Sequence, residues 1–524
     1  LFLGYIEFAN YIEETYRISD PSIKDKQKRS LEEKKLQKTF NNRLVIIDEI
    51  HNIRISDENK NKRVAVELYK LVEYTTNMRL LLLSATPMYD NYLEIIWLVN
   101  IMNLNDNRGI IKQKDVFTKN GSFVINDGKE TGKILLKRKL NGYVSYIRGE
   151  NPYTFPYRIY PTLFNKSRSI SSINYPNVQF NGDDIIQKID FIDLYVTDIG
   201  SYQTIGYDYI IKNLADVNEN ISLGYTTLLS PLEALNMVYP SVKFDEMRTG
   251  DIKFDFKQLI GKVGLSSTMI YRETMKPMFK GGFEYKPEIL EKYGRIFSPE
   301  EIGKYSNKIN SICESIKRSE GIVLVYSQYI DGGLIPIALA LEEMGFTRYG
   351  ESNSLFKNPP IEPIDAISKK GRIEGSKFNP AKYAMITGDK MLSIDNAKEI
   401  RALTSNDNIN GEKIKVVFIS KAGSEGLDFK NIRQIHIMEP WYNMNRIEQI
   451  IGRGIRTCSH KELPFSKRNI ELYLHSTNLD SRYEAVDLYV YRIAERKSLQ
   501  IGRITRLMKK IAIDCILNFD QQKF

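Results

Sequence analysis

The sequence has few of the residues on which redox, disulfide and zinc sites depend. Its 524 residues include three cysteines, Cys313, Cys458 and Cys515, and four histidines. The cysteines are scattered and form no C-x-x-C pair, so neither a disulfide framework nor a zinc knuckle can be assembled from them. This scarcity excludes disulfide-stabilised and zinc-finger domains, and it fits a reducing compartment.

Long uninterrupted hydrophobic runs are also absent. The best candidate, residues 332–341, is shorter than the ~18 apolar residues that a membrane span needs. The first residues, "LFLGYIEFANYIEE", carry acids early and have no basic segment, unlike a secretory signal. We therefore predict a protein without a membrane partner that is intracellular and not secreted.

The charge balance favours a polyanionic partner only slightly. Lysine and arginine total 75 against 65 acidic residues, which gives a formal net charge of +10. An excess of this size suits nucleic acid, but it equally suits plain solubility. With 42% hydrophobic residues the chain is long enough for several cores.

Two regions alternate apolar strands with amphipathic helices. The first reads "NRLVIIDE", "KRVAVELYKLVEY" and "RLLLLSATP"; the second contains "KINSICESIKRSEGIVLVYSQY", "LIPIALALEEMG", "KVVFISK" and "IRQIHIMEP". Each strand is a continuous apolar run, as a parallel sheet covered on both faces requires. The pattern predicts two α/β domains with parallel sheets.

The remaining regions differ in composition. Residues 161–300 are polar and rich in Asn, Tyr, Gly and Pro, which predicts an intervening mixed, partly helical module, and helical apolar spacing after residue 480 predicts a helical C-terminal element. The segment 24–38 is expected to be a solvated helix. We therefore divide the chain into residues 1–160, 161–300, 301–480 and 481–524.

Polar residues follow the two strands of the first region. Asp48 and Glu49 emerge at the carboxyl end of an apolar strand, where open parallel sheets bind their ligands. Two adjacent carboxylates repel unless a divalent cation or a proton relieves them. The alternative is a pair of acids that caps the next helix. Ser84 and Thr86 follow the second strand, and alone they indicate little.

A basic segment near the end of the second region combines arginine with glycine. In "RIEQIIGRGIR" the spacings between Gln449, Arg453 and Arg456 are four and three, which on one helix turns them to the same side. Guanidinium groups suit a developing phosphate charge, and Gly452 and Gly454 permit close approach. The alternative is a basic surface helix.

Taken in order, these segments resemble a known family. "DEIH", "SAT", "VYSQY" at 325–329, "SKAGSEGLDF" at 420–429 and "QIIGRGIR" resemble motifs II to VI of superfamily 2 helicases and translocases. The resemblance implies two RecA-like domains that hydrolyse ATP with Mg²⁺. Asp48 and Glu49 then belong to the metal site, where Asp48 is the acid of the magnesium shell and Glu49 is also the base that orients the attacking water. Arg453 and Arg456 are then arginine fingers.

The resemblance also implies roles for other residues, with one departure from the motif V pattern, where Glu425 replaces an arginine. His51, Ser84 and Thr86 are implied to couple the two domains, and His51 is expected to contact Gln449, which the resemblance places among the catalytic residues. Gly426, Asp428 and Gly452 are implied to contact the nucleotide. Ser327, Gln328 and Ser420 are implied to contact the nucleic-acid backbone.

A narrower resemblance points to viruses. "GYVSYIRGENPYTFPYRIYP", "EPWYNMNRIEQIIGRGIRTCSHKELPF" and "DLYVYRIAERKSLQIG" are similar to helicase-type proteins of poxviruses and giant DNA viruses, namely the early-transcription-factor small subunit and nucleoside triphosphate phosphohydrolase I. This implies an ATP-driven translocase on duplex DNA that serves viral transcription, with viral RNA polymerase or a larger transcription-factor subunit as partner, in the virion or the host cytoplasm. An RNA helicase of the same superfamily, or a DNA-binding transcription adaptor without ATPase activity, is the alternative.

One expected motif is missing before Asp48. This superfamily places a loop G-x-x-x-x-G-K-[ST] there to hold the nucleotide phosphates. The nearest candidates, "GKETGK" at 128–133 and "GRIEGSK" at 371–377, come later, and the chain begins with Leu1. We expect residues 1–524 to lack the phosphate-binding part of the first domain and to be unable to hydrolyse ATP alone. The alternative is a natural remnant that binds DNA without ATP.

Overall fold

The structure is a computed structural model of the chain. It describes residues 1–19, 23–53, 62–146, 153–217, 225–247, 254–272, 282–350, 354–375, 378–389, 392–393, 395–421, 427–480 and 482–517. The chain divides into two compact units: unit 1 comprises Leu1–Gly149 and Arg496–Phe524, and unit 2 comprises Glu150–Glu495. None of the described helices is long and apolar enough to cross a membrane.

Helices and strands alternate in parts of the described chain, and elsewhere several helices follow one another. The helices are α1 Tyr5–Tyr16, α2 Asp25–Phe40, α3 Arg63–Tyr74, α4 Glu94–Asn105, α5 Gln113–Val116, α6 Thr131–Leu140, α7 Pro161–Phe164, α8 Ser201–Val217, α9 Tyr225–Asn236, α10 Val242–Met247, α11 Gly261–Thr268, α12 Pro287–Tyr293, α13 Ile302–Tyr305, α14 Asn307–Arg318, α15 Ile335–Glu342, α16 Asn396–Leu403, α17 Met444–Gly454 and α18 Val486–Ile511. The strands are β1 Leu44–Ile47, β2 Arg79–Leu82, β3 Tyr157–Ile159, β4 Tyr195–Asp198, β5 Met269–Arg272, β6 Gly282–Tyr285, β7 Ile322–Tyr326, β8 Thr347–Arg348, β9 Lys382–Ile386, β10 Val416–Ile419, β11 Ile432–Ile437 and β12 Asn469–Asn478.

Unit 1 contains a two-stranded parallel sheet. β1 pairs with β2, and the helix predicted between them is α3. The expectation that both faces of this sheet are covered is wrong for the described residues, because Leu44 is 60% and Ile46 56% exposed. Alternate β1 side chains point to opposite faces. The face of Ile47 is buried in the core, and the face of Leu44 and Ile46 is exposed.

Unit 2 is organised around a large sheet in which every pairing is parallel. The strand order is β3-β12-β11-β7-β10-β9-β8, and β4 also pairs with β12. All residues of β7 and β10 are buried, which confirms for these strands the prediction made from their continuous apolar runs. β3 and β4 join this sheet although they precede residue 301. β5 and β6 form a separate antiparallel pair.

The helices follow from local sequence signals. The side chain of Ser306 accepts a hydrogen bond from the backbone N–H of Ile309 at 3.0 Å and caps α14, and Asn443 caps α17 in the same way. α18 confirms the predicted closing helix; its residues up to Glu495 belong to unit 2 and those from Arg496 to unit 1. α2 confirms the predicted helix near residues 24–38.

Candidate functional site

The two carboxylates of "DEIH" follow β1 directly, at a sharp turn. The backbone N–H of Leu83 donates to Ile47 O at 2.9 Å, and that of Ile50 donates to Leu83 O at 3.1 Å, so pairing with the second strand continues past the carboxylates. Glu49 has φ 47° and ψ 49°, the left-handed conformation. A non-glycine residue pays ~1–2 kcal/mol for this conformation, which is found preferentially at functional sites.

His51 connects the carboxylates with the "SAT" segment. Its Nδ1 atom lies 2.9 Å from Ser84 Oγ, 3.4 Å from Thr86 Oγ1 and 3.2 Å from Glu49 Oε2. Its ring stacks on Tyr89 with centroids 5.1 Å apart, and the side chain is 4% exposed. The residues predicted from motifs II and III therefore meet within unit 1 around a single imidazole.

The carboxylates themselves are open to solvent. Asp48 is exposed, and its Oδ1 accepts a hydrogen bond from the Glu49 N–H at 2.9 Å. The Glu49 side chain is 48% exposed. The Tyr5 hydroxyl donates to Asp48 O at 2.6 Å and supports the turn from α1. Both side chains can therefore reach a ligand from solvent.

The described residues contain no cluster of three His, Cys, Asp or Glu side chains able to hold a metal ion. Mg²⁺ is commonly held by one or two carboxylates together with substrate phosphates and water. Asp48 supplies one such carboxylate, so the residues present fit a magnesium ion that arrives with a nucleotide.

The glutamine and arginines of "QIIGRGIR" do not all lie on one helix. Gln449, Gly452 and Arg453 belong to α17, which ends at Gly454. A Cβ at Gly454 would lie 3.1 Å from a side-chain atom of Ile435, and the next residue, Ile455, is extended with ψ 95°. The expectation that Arg456 shares a helical face with the other two is therefore wrong, because the helix packs on β11 through Gly454 and then stops.

Arg456 is held by another of the predicted residues. Its guanidinium lies 2.7 Å from Asp428 Oδ1, and both side chains are largely exposed. The backbone N–H of Phe429 donates to Arg453 O at 2.9 Å, so the segment after β10 runs beside the end of α17. The structure thus brings Asp428, Arg453 and Arg456 together in unit 2. Gly426 lies outside the described residues.

The polar residues that follow β7 and β10 are mostly buried. Ser327 is fully buried and Ser420 is 3% exposed, whereas Gln328 is half-buried. The Ser327 hydroxyl donates to Glu439 Oε2 at 2.9 Å, and the Gln328 N–H donates to Glu439 Oε1 at 2.5 Å. Their contact with a nucleic-acid backbone stays a prediction.

Glu439 is the structurally central residue that sequence reasoning missed. It is 2% exposed and also accepts a hydrogen bond from Asn236 Nδ2 at 2.9 Å. Burial raises the pKa of its carboxyl group above the usual range. A signal was present, because Glu439 follows the apolar strand "IRQIHI" much as Asp48 follows "LVII".

A buried ion pair lies next to this glutamate. The Lys308 ammonium donates to Met438 O at 3.1 Å and lies 3.2 Å from Asp487 Oδ2. Asp487 also accepts a hydrogen bond from Thr477 at 2.8 Å. α14, α18 and the ends of β11 and β12 are thus joined by one polar network.

Trp441 packs within unit 2 against a cation. The Arg446 guanidinium lies 3.8 Å from the centre of the Trp441 ring and donates to the Tyr326 hydroxyl at 2.7 Å. The beginning of α17 is thereby tied to the end of β7. The "PWYN" segment therefore helps to position the helix that carries Gln449 and Arg453.

Comparison with known proteins confirms the family resemblance. The model of the helicase conserved C-terminal domain matches residues 367–458. A protein of Invertebrate iridescent virus 3 that is named as a helicase is 26% identical over 521 residues, 97% of this chain and 42% of its own length. A protein of Acanthamoeba polyphaga mimivirus named as an ATP-dependent RNA helicase is 26% identical over 519 residues, 92% of this chain and 41% of its own.

A third relative carries an enzymatic name. Nucleoside triphosphatase I of Melanoplus sanguinipes entomopoxvirus is 26% identical over 492 residues, 91% of this chain and 63% of its own length. The chain spans only about two-fifths of the length of the first two relatives. It is thus related, over more than nine-tenths of its own length, to helicases and nucleoside triphosphatases of large DNA viruses.

Proposed function

We propose that this superfamily 2 helicase relative is part of an ATP-driven translocase that moves along duplex DNA in viral transcription. The observation that carries the proposal is the His51 cluster, in which Glu49 and the Ser84 and Thr86 hydroxyls share one buried imidazole. Such a cluster transmits a change at the carboxylates to the neighbouring strand end, as nucleotide-driven movement requires.

The exposed carboxylates supply the proposed chemistry of unit 1. Asp48 would hold Mg²⁺, which neutralises charge on the phosphates when bound. Glu49 would orient the attacking water and accept its proton, and its contact with His51 Nδ1 at 3.2 Å keeps the carboxylate on that side of the turn. Strain at the left-handed Glu49 supports this assignment.

The arginines supply the proposed charge of unit 2. Arg453 and Arg456 would stabilise negative charge that develops on the transferred phosphoryl group, since guanidinium groups stay protonated and bind two oxygens at once. Asp428 supports this by holding Arg456 extended at 2.7 Å. Gln449 and Gly452 lie on the same helix, and a Cβ at Gly452 would meet no atom within 4 Å, so a ligand can approach there.

Duplex DNA is the proposed substrate, with RNA as the second candidate. The net charge of +10 suits either polymer. The "SYIRGENP" and "PWYNMNR" segments favour DNA and a viral transcription partner, either RNA polymerase or a larger transcription-factor subunit. The mimivirus relative, named as an RNA helicase, is the observation that favours RNA.

The test is phosphate release with magnesium and ATP in the presence of duplex DNA, single-stranded DNA or RNA. It is made on residues 1–524 and on a longer chain to which a phosphate-binding loop has been added before β1. We expect duplex DNA to stimulate turnover most in the longer chain. Turnover by residues 1–524 that Glu49→Gln abolishes would show that this chain binds phosphates by another route.

Two controls separate the alternatives. Glu14→Gln alters an exposed glutamate of α1 and is expected to leave turnover unchanged. Stimulation by RNA alone would favour the RNA helicase. DNA binding without turnover in either chain would favour the transcription adaptor and overturn the ATPase proposal.

A further inference from the structure

One face of α18 carries cations that form no ion pair with an acid in the described part of the chain. From Arg496 to Ile511, α18 has no acidic residue. Arg503, Arg506 and Lys510 are exposed, and among the described residues no carboxylate forms an ion pair with any of them. We call these three residues the α18 cationic stripe.

The spacing places the stripe on a single face. Residues three and four apart on a helix are neighbours, and the intervals from Arg503 to Arg506 and from Arg506 to Lys510 are three and four. The other side of the helix is buried, because Ile504, Leu507 and Ile511 belong to the core of unit 1. The three cations therefore face solvent together.

The helix is fixed along unit 1 at both ends of the stripe. Before it, the Lys497 ammonium lies 2.9 Å from Asp90 Oδ1, in the segment that follows Ser84 and Thr86. After it, the N–H of Ile513 donates to Val144 O at 2.8 Å, and Asp514 accepts hydrogen bonds from Ser145 and from the Tyr146 N–H. Asp514, the acid that follows α18, thus already accepts hydrogen bonds from other residues. A rigid stripe loses little conformational entropy when it binds a ligand.

A second basic helix of unit 1 differs, because part of its charge is neutralised. α2 also has six cations, but three acids are interspersed, and Arg29 pairs with Glu33 one turn away at 3.3 Å. Like charges one turn apart destabilise a helix by a few tenths of a kcal/mol per pair. α18 bears this cost without a counter-charge from the described residues, which points to an anion supplied by a ligand.

We propose that the α18 cationic stripe binds the phosphate backbone of duplex nucleic acid. From Arg503 to Lys510 the helix rises about 10 Å, at about 1.5 Å per residue. Phosphates on one strand advance about 3.4 Å per nucleotide along the duplex axis, so about three fall within the stripe. Two of the three cations are arginines, which bind phosphate through two N–H groups.

The stripe lacks the features of a protein interface. Protein interfaces rely on buried aromatic and apolar anchors at their centre. Between Arg503 and Lys510, the apolar side chains Ile504 and Leu507 face the core, and exposed apolar residues begin only at Ile513. The stripe presents charged side chains without apolar anchors, which suits a polyphosphate better than a folded protein partner. The inference rests on the proposed function, and it adds a contact surface outside the helicase motifs.

The test is the salt dependence of binding, measured without nucleotide on the full chain. The variant R503Q/R506Q/K510Q is compared with K26Q/K34Q/K38Q, which removes three exposed lysines from α2 and makes the same change in net charge. Affinity for a fluorescent 30-base-pair DNA duplex is followed by anisotropy over a range of salt concentrations. Log affinity falls as log salt rises, and each lost phosphate contact should lower the absolute slope of that plot by about 0.9.

We expect the stripe variant to lower that slope by nearly 3 and the control to leave it unchanged. Equal small changes in both variants would overturn the inference, since only net charge would then matter. Unchanged duplex binding, with loss of binding to polyglutamate, would overturn it in favour of an acidic protein partner. No salt-dependent duplex binding by the unaltered chain would reject the proposed function itself, an outcome distinct from the other two.

Discussion

β1 and β10 are both short apolar strands in parallel pairs, with the sequences LVII and VVFI, but their surroundings differ. Every residue of β10 is buried between β7 and β9, whereas β1 pairs only with β2 among the described residues and exposes Leu44 and Ile46. An apolar run thus indicates which strands suit a covered sheet, but neighbouring elements decide whether a given strand is covered.

The same contrast applies to the acids at the strand ends. Glu49 follows an exposed strand and is 48% exposed, while Glu439 follows a buried strand and is 2% exposed. Glu439 is surrounded by three hydrogen-bond donors and holds neighbouring segments together. We therefore assign a catalytic role to the exposed Glu49 and a positioning role to the buried Glu439.

The sharpest test of this contrast is Glu49→Gln. The amide cannot accept a proton from water, so we expect DNA-stimulated turnover to fall by about 100-fold to 10,000-fold, with ATP and magnesium binding retained. Turnover and nucleotide binding are measured on the chain that includes a phosphate-binding loop. Near-normal turnover would remove Glu49 from the mechanism.

The contrast between the sheets is tested by truncating one side chain in each. Phe418→Ala in β10 should lower the free energy of unfolding of unit 2 by about 3 to 5 kcal/mol, because it leaves a cavity in a closed core. Leu44→Ala in β1, where the side chain is 60% exposed, should cost about 1 kcal/mol or less.

The two tryptophans allow each unit to be followed separately. Trp97 lies in unit 1 and Trp441 in unit 2, so Trp441→Phe leaves a reporter for unit 1 and Trp97→Phe leaves one for unit 2. Denaturant unfolding is followed by fluorescence in these backgrounds. Equal losses from the two truncations would show that β1 is as well covered as β10.

Sequence reasoning foresaw some strands and helices of unit 2, but neither the remaining ones nor how they are joined. β7, β10, β11 and α14 were predicted from local periodicity. The pairing of β3 with β12 was not foreseen, because it joins Tyr157 to Asn469 across a long stretch of chain, and no local pattern specifies such a partner. The end of α17 at Gly454 was also missed, although a glycine at the end of a periodic segment is itself a helix stop signal.

The contacts of the motif residues could be predicted only in part. The meeting of His51 with Ser84 and Thr86 follows from the resemblance together with parallel pairing of β1 and β2, whose carboxyl ends lie side by side. The burial of Ser327 and Ser420 could not be read from their positions after strands, because an exposed Asp48 and a buried Ser327 occupy similar places in the sequence.

Arg456→Ala tests the role proposed for the exposed arginines of unit 2. We expect the maximal rate to fall by about 100-fold and nucleotide affinity to change much less, because the guanidinium matters most when charge develops. Arg482→Ala removes a comparable exposed arginine, paired with Asp208 at 2.8 Å, and should leave turnover unchanged. An effect of Arg456→Ala on DNA affinity alone would make Arg456 a nucleic-acid ligand.

The buried histidines of unit 2 should make it sensitive to acid. Burial lowers the pKa of His436 to about 3 and that of His460 to about 4, and it lowers the pKa of His475 well below its usual value. An unfolded imidazole takes up a proton near pH 6.5, so protons favour the unfolded state as the pH falls below 6.5 toward 4.

We therefore expect each buried imidazole to lower the free energy of unfolding of unit 2 by about 1 to 2 kcal/mol between pH 7 and pH 5. Glu233, Glu342 and Glu399, whose pKa burial raises to about 7, act in the opposite direction over this range. Denaturant unfolding at both pH values, followed through Trp441 in the Trp97→Phe background, measures the change. The same measurement on His460→Gln isolates one imidazole. A pH dependence that this substitution leaves unchanged would show that the imidazole is hydrated or already protonated in the folded state.

The smallest expected effect concerns the coupling of the two strand ends in unit 1. His51→Ala and Ser84→Ala each break the 2.9 Å contact between Nδ1 and Oγ, so the second substitution should cost less when the first is already present. Residues in contact generally couple by about 0.5 kcal/mol or more. The cycle is measured as unfolding of unit 1 through Trp97 in the Trp441→Phe background.

The matched control cycle pairs His51→Ala with Thr76→Ala. Thr76 lies before β2 and binds Asn41, at the opposite end of the strand from Ser84. That pair should be additive. Additivity in both cycles would mean that the His51 cluster does not join the strand ends, and the proposed transmission from the carboxylates would then need another route.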